Sequence, residues 1–170
     1  GNAFLYYGEE LGMKGSGKDE NKRAPMYWSK DGNAEGMCKG PADMDDFRMK
    51  FDSLEEQQED PDSIYNYVKQ VIRVRNQNPV IARGTTAYLE QYSGEQCFAL
   101  TRSDENSSLL MLGNTSAETA TVDLSGLTIG KTAAEELVLL GELYTGEETA
   151  ERTGAEITLP AWSILILGEE

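Results

Sequence analysis

From Gly84 onward the sequence is cut into eight runs of strand length, separated by turn-forming residues, with no long helical pattern between them. The runs are Thr86 to Tyr92, Gln96 to Arg102, Ser108 to Gly113, Thr119 to Leu124, Ala134 to Leu140, Glu142 to Tyr144, Glu156 to Leu159 and Trp162 to Leu167. Ser93-Gly94, Asp104 to Asn106, Asn114 to Ser116 and Thr145-Gly146 supply the turns, because Asn, Asp and Ser side chains bond nearby backbone and Gly tolerates positive φ. Regular short strands without intervening helices argue for an antiparallel sandwich. The ambiguous stretch is Lys131 to Leu140, where Ala133, Ala134, Glu135, Glu136 and Leu137 favour helix.

The first half reads differently. Residues 3 to 7 (AFLYY) form a continuous apolar run ended by Gly8, the pattern of a strand buried on both faces in a parallel sheet. A polar stretch follows to about Glu59, holding or flanked by seven glycines, and a loop of that length is usually functional. Within it Met44, Phe47, Phe51 and Leu54 share one helical face, so Asp43 to Leu54 is expected to hold a short helix. Asp60 to Asn78 carries a stronger helix signature: Asp60 as N-cap, Pro61 at the first helical position, and Ile64, Val68, Val71 and Ile72 as the apolar stripe. Asn78 ends it, since a residue before proline is pushed out of the α region.

At 170 residues the chain supports one medium domain or two small ones, short of the roughly 250 residues of a whole (β/α)8 barrel. Its 30 acidic and 15 basic residues give a formal charge of -15. That field repels phosphate backbones and anionic membranes, which excludes nucleic acid as an expected partner and leaves neutral ligands such as sugars compatible. No apolar run reaches the roughly 18 residues of a membrane helix, and no signal-peptide pattern opens the chain. Cys38 and Cys97 lie in different expected units and read as free thiols. The absence of histidine excludes Ser-His and Cys-His nucleophiles and His-based metal sites. No cofactor or metal site is expected.

Two strings are specific: FLYYGEELGM at residues 4 to 13 and DENKRAPMYW at residues 19 to 28. With the helix ending in VRNQNPVIARG and the strands after it, they resemble the end of the catalytic barrel in the α-amylase family of glycoside hydrolases. There a last barrel strand reads Y-Y-G-E and the next loop D-x-x-x-R-x-P-M-x-W. The closing LPAWSILIL is a weaker echo. The resemblance implies a mainly β chain, an antiparallel β-sandwich preceded by the last βα unit of a (β/α)8 barrel. Residues 1–80 would supply strand 8, its long loop and helix 8, and residues 84–170 the all-β C-terminal domain. It implies α-glucan or maltooligosaccharide as the ligand of the intact parent, in starch and carbohydrate metabolism, and leans toward an extracellular or cell-surface setting.

Active sites of such barrels lie on loops at the C-terminal strand ends, which places the loop after Gly8 against substrate. The family's sugar-binding Asp and Arg correspond to Asp19 and Arg23, a carboxylate that accepts from vicinal hydroxyls and a guanidinium that donates in a fixed fork. A salt bridge between the two, shaping the loop, is the alternative. Trp28 either stacks on a sugar or packs against Pro25 and Met26 as a loop anchor. Tyr6 and Tyr7 divide in the same way by strand alternation.

Glycoside hydrolysis needs two carboxyl groups, about 5 to 5.5 Å apart in retaining enzymes. Glu9 and Glu10 are adjacent and point to opposite sides, which favours structural roles at the barrel rim. Asp43, Asp45 and Asp46 favour helix capping over calcium. The family's three catalytic carboxylates come from strands four, five and seven, so no catalytic residue is expected in this chain, which should be inactive alone. A different class of function is a noncatalytic carbohydrate-binding module with Trp162, Tyr88 or Tyr92 as stacking platform; Trp162, among apolar neighbours, reads as core. Residues 3 to 8 or 64 to 72 would expose apolar surface and drive self-association.

Overall fold

The computed structural model describes residues 3–169, which divide into two compact units, residues 1–69 and 70–170. The helices are α1 (Leu54–Glu59), α2 (Ile64–Gln77) and α3 (Val80–Arg83), and the division falls inside α2. The strands are β1 (Thr85–Tyr88), β2 (Cys97–Ser103), β3 (Ser108–Asn114), β4 (Ala120–Asp123), β5 (Thr128–Ile129), β6 (Thr132–Ala133), β7 (Val138–Leu143), β8 (Glu151–Thr153), β9 (Glu156–Leu159) and β10 (Ile164–Gly168).

The second unit is the expected sandwich. One sheet has the order β1-β2-β3-β10-β7 and the other β4-β9-β8, with β5-β6 as a small hairpin, and every pairing is antiparallel. Strand alternation sends Ala99, Leu110, Leu112, Leu165 and Leu167 of the larger sheet against Val122, Ile157 and Leu159 of the smaller one, and these form the main core.

Residues of opposite parity on the larger sheet, Leu109, Ile166 and Leu143, are also buried, beneath a second layer to which the C-terminal half of α2 contributes. Val74 of α2 sits over Gly141, where a Cβ would fall 2.7 Å from a Val74 methyl, and Gln70 donates its amide to the Glu142 carbonyl at 3.1 Å. Gly141 pairs with Ile166 in the sheet, so it is the absent side chain that admits the helix.

The structure departs from the sequence reading in several places. Ala134 to Leu140 and Glu142 to Tyr144 are not two strands. The helix-favouring residues make one 3-10 turn at Ala134–Glu136, and β7 runs unbroken through Gly141. The strand expected from Thr86 to Tyr92 stops at Tyr88; Tyr92 ends a 3-10 turn and packs against the core, so Tyr88 and Tyr92 share no face. Trp162 is not core: it precedes β10 in a turn, at φ 53, with 52% of its surface exposed. Strand β8 was hidden from the pattern because all its residues are exposed.

In the first unit the strand expected over residues 3 to 7 is not formed among the described residues. A strand exists only with neighbours to pair, and here the Tyr6 N–H is taken instead by the Glu9 carboxylate at 3.1 Å. The Asp43 to Leu54 helix is also absent. The Asp45 N–H is claimed by the Asn21 side chain at 2.9 Å and the Phe51 ring packs on Gly12, long-range contacts that outweigh local periodicity. Helix α1 begins instead at Leu54, with Ser53 as its N-cap and Glu56 reaching back to the Ser53 N–H. Helix α2 begins at Ile64, later than Asp60: the Ser63 hydroxyl accepts the Asn66 N–H at 3.2 Å, which makes Ser63 the cap.

Candidate functional site

The loop after Gly8 starts with a tight reversal. Gly8 and Gly12 both take left-handed backbone, at φ 88 and 63, around the turn Glu9–Leu11. Glu10 accepts the Gly8 N–H at 2.8 Å, as Glu9 does that of Tyr6, so both carboxylates are committed to local backbone. Leu11 is buried and its carbonyl receives the side chain of buried Gln57 at 3.0 Å. Gln57 also donates to the Asp52 carbonyl at 2.7 Å and accepts the Tyr65 N–H at 3.1 Å, tying the start of the loop to α1 and α2.

A second knot sets the sugar-binding candidates. Asn21 is buried in the turn Asn21–Arg23; its amide donates to the Ser16 carbonyl and to Asp45, both at 2.8 Å, and its oxygen accepts the Asp45 N–H. Lys18 closes the group through a 2.7 Å ion pair with Asp45. The Lys18 ammonium, and then Asn21, hold the Asp45 carboxyl below the usual carboxylate range. Asp45 is therefore a strut of this loop and not a helix cap.

Outward from this knot the turn presents Asp19 and Arg23. They do not form the salt bridge that the sequence left open: Asp19 pairs with Lys22 at 3.1 Å, while Arg23 meets Glu20 at 3.6 Å and the Asp19 backbone carbonyl at 3.3 Å. Both side chains are largely exposed, so these pairs are weak and exchangeable. Trp28 is 43% exposed. Its neighbourhood is fixed through backbone: the Tyr27 and Trp28 carbonyls accept the Leu54 and Glu55 N–H groups at 2.9 and 3.1 Å, satisfying the first donors of α1.

Beside the turn lies a groove of about 370 Å³ lined by Tyr6, Tyr7, Gly8, Met13, Asn21 and Lys22, among others. The Tyr6 and Tyr7 rings meet with centroids 4.7 Å apart, and the Tyr7 hydroxyl donates to the Ala24 carbonyl at 3.0 Å. Desolvation, and then Tyr6, push the Tyr7 phenol up. Asp19 and Arg23 thus sit on one turn, but neither they nor Trp28 lines this groove. Sequence reasoning missed Asn21 and Gln57, whose importance lies in partners 24 and 46 residues away. Among the described residues no group of three or more His, Cys, Asp or Glu could hold a metal ion, and no helix is long and apolar enough to cross a membrane.

An antiparallel sandwich preceded by a loop carrying D-x-x-x-R-x-P-M-x-W defines the class: sequence and fold both resemble the C-terminal part of an α-amylase-family glycoside hydrolase. Residues 1–84 match the family described as alpha amylase, catalytic domain. Alpha-amylase 3 of Dictyoglomus thermophilum is 32% identical over 84 residues, covering 49% of this chain and 17% of its own length. The structure of Eubacterium rectale Amy13B superposes with a TM-score of 0.91 at 40% identity, covering all of this chain and 32% of that one. The α-amylase of H. orenii gives a TM-score of 0.73 at 26% identity, again over the whole chain and 33% of its own. The chain therefore spans about a third or less of the relatives it matches.

Proposed function

We propose that this chain is the C-terminal part of an α-amylase-type glycoside hydrolase acting on α-glucans, with residues 1–80 closing the catalytic barrel and residues 84–170 forming the sandwich domain. The observation that carries the reading is the Asn21–Asp45 knot, which fixes the backbone of residues 19–23 while leaving the Asp19 carboxylate and Arg23 guanidinium facing solvent in weak pairs. A carboxylate and a guanidinium four positions apart on a rigid turn can accept from and donate to neighbouring hydroxyls of one sugar ring. Binding energy spent there orients the glycosidic bond for the acid and nucleophile on other strands. Trp28 supplies an apolar face at the same loop.

In this reading the chain binds and positions but does not cleave. Purified alone it should release no reducing ends from maltooligosaccharides, and reproducible turnover abolished by no contaminant control would overturn the assignment. In the intact protein, Asp19→Ala or Arg23→Ala should lower kcat/KM for maltooligosaccharides by about 10- to 100-fold, the loss of one or two charge-assisted hydrogen bonds. Unchanged kinetics in both variants would remove the two residues from the substrate site.

A further inference from the structure

Five of the six methionines fall between Met13 and Met49, in the loop that carries Asp19 and Arg23. The start of this loop is clasped to residues 47–51. The Phe51 ring packs on Gly12, the Lys14 ammonium lies 5.7 Å from the centroid of the Phe47 ring, and the Lys14 N–H donates to the Met49 Sδ at 3.3 Å. Among the described residues that sulfur makes the one hydrogen bond between residues 12–15 and 46–51. A thioether is a weak acceptor, so the clasp depends on a group that oxidation alters.

Met13 sits beside the same clasp. It lines the groove with Tyr6 and Tyr7, and a Cβ at Gly8 would fall 2.6 Å from the Met13 Sδ, so the sulfur rests directly on the left-handed Gly8 backbone. Met13 and Met49 are both half-buried, within reach of a small oxidant such as hydrogen peroxide. Met111, the one methionine outside the loop, lies in the middle of β3, whose backbone is paired on both sides without help from any sulfur.

We infer that Met49 and Met13 form an oxidation-sensitive latch on this loop, opened by peroxide and closed again by a methionine sulfoxide reductase. A sulfur lone pair attacks one peroxide oxygen, the O–O bond breaks, the thioether becomes a sulfoxide, and the second oxygen leaves with both protons as water. A dithiol reductant reverses the step, becoming a disulfide while the sulfoxide oxygen leaves as water. At Met49 the added oxygen takes the space through which the sulfur meets the Lys14 N–H. At Met13 it is pressed against Gly8 and is accommodated only by moving the turn that follows Tyr7. That the released loop is a sugar-binding one rests on the function proposed above.

The test is residue-resolved amide hydrogen exchange of the 170-residue chain before and after hydrogen peroxide, with the sulfoxides placed by peptide mass. Oxidation at Met49 should speed exchange of the Lys14 amide about five- to tenfold and leave β3 around Met111 unchanged, and reductase with dithiothreitol should restore the slow rate. Met49→Leu, which cannot accept, should exchange fast at Lys14 before any peroxide. Met13→Leu with Met49→Gln, which keeps an apolar side chain at one position and an acceptor at the other with no sulfur at either, should hold the slow rate through peroxide. An unchanged Lys14 rate in the Met49 sulfoxide, or a double variant that loosens as the parent does, overturns the latch. In the intact protein peroxide should raise KM for maltooligosaccharides in the parent and not in the double variant. A loop that loosens with unchanged kinetics keeps the latch and overturns its link to the sugar site.

Discussion

Replacing Asn114 by Ala should be among the most damaging single changes in the second unit. Asn114 ends β3 with its side chain buried, donating to the Glu118, Leu159 and Pro160 carbonyls at 2.7, 3.2 and 2.9 Å and accepting from the Ser116 N–H and hydroxyl at 2.9 and 2.8 Å. It therefore ties the larger sheet, through β3, to the end of β9 in the smaller one, and closes the 114–118 turn on itself. Alanine removes every one of these bonds and leaves the Pro160 carbonyl only the Ser163 hydroxyl as a side-chain donor. At about 1 kcal/mol net for each of the four strongest bonds, the loss is about 3–5 kcal/mol, a large share of a typical domain's stability. Urea unfolding followed by far-UV circular dichroism, with Asn114→Asp as a second variant, measures it. The aspartate keeps the acceptor and loses the donors, so it should be at least as unstable as the alanine. A loss below about 1 kcal/mol in both would show that water takes the place of the amide and that the cross-sheet tie is not what holds the turn.

Three further outcomes follow from the same geometry. Gly141→Ala should cost about 1–3 kcal/mol by forcing Val74 off the sheet, and Val74→Ala in the same chain should restore part of it, a coupling visible in a double-mutant cycle. The Asp45 carboxyl is held below its ordinary 3.8, so its contribution to the loop is present above that value and is lost as pH falls through the lower folded value. Asn21 side-chain amide signals followed from about pH 6 to about pH 2 should stay constant until below 3.8 and then collapse to those of a solvated amide; loss on the neutral side of that value contradicts the ion-pair knot. Phe4 is 91% exposed and Leu5, Tyr6 and Tyr7 are exposed beside it, so the chain alone should associate with increasing concentration in sedimentation velocity; Phe4→Ser with Leu5→Ser should reduce this, and a concentration-independent monomer would refute it.

The sandwich was legible because its signals are local. Alternation in β4, the short apolar runs of β3 and β10, and turn residues such as Ser93-Gly94 and Asp104 specify strands and their ends without distant partners. Where a distant partner decides, the pattern misled. Gly141 reads as a strand breaker but is the opening into which Val74 packs. Trp162 reads as core from its apolar neighbours, yet the left-handed turn that swings it outward depends on the Ser116 carbonyl and on Ser163, whose hydroxyl is buried against Pro160 at 2.7 Å. At the candidate site the D-x-x-x-R spacing pointed to Asp19 and Arg23, but not to Asn21 between them, because nothing near Asn21 in sequence announces Asp45. The apolar run at residues 3 to 7 marked a segment meant for burial, and pairing, which no single segment encodes, is what a strand additionally needs.

Asn21, Gln57 and Asn114 share a design that the charge of the chain helps to explain. Each is an amide, each is buried, and each binds both donors and acceptors from segments far apart in sequence. A carboxylate in the same position could only accept, would leave backbone carbonyls unpaired, and would add buried charge to a chain already at -15. The amide satisfies N–H and C=O groups together with no such cost. Fixing the loops through neutral knots leaves ionisable side chains at the surface, where Asp19 and Arg23 sit in weak, exchangeable pairs. A carboxylate at position 21 should therefore damage loop geometry and ligand binding together, whereas a carboxylate removed from position 19 should alter binding and leave the fold as it is.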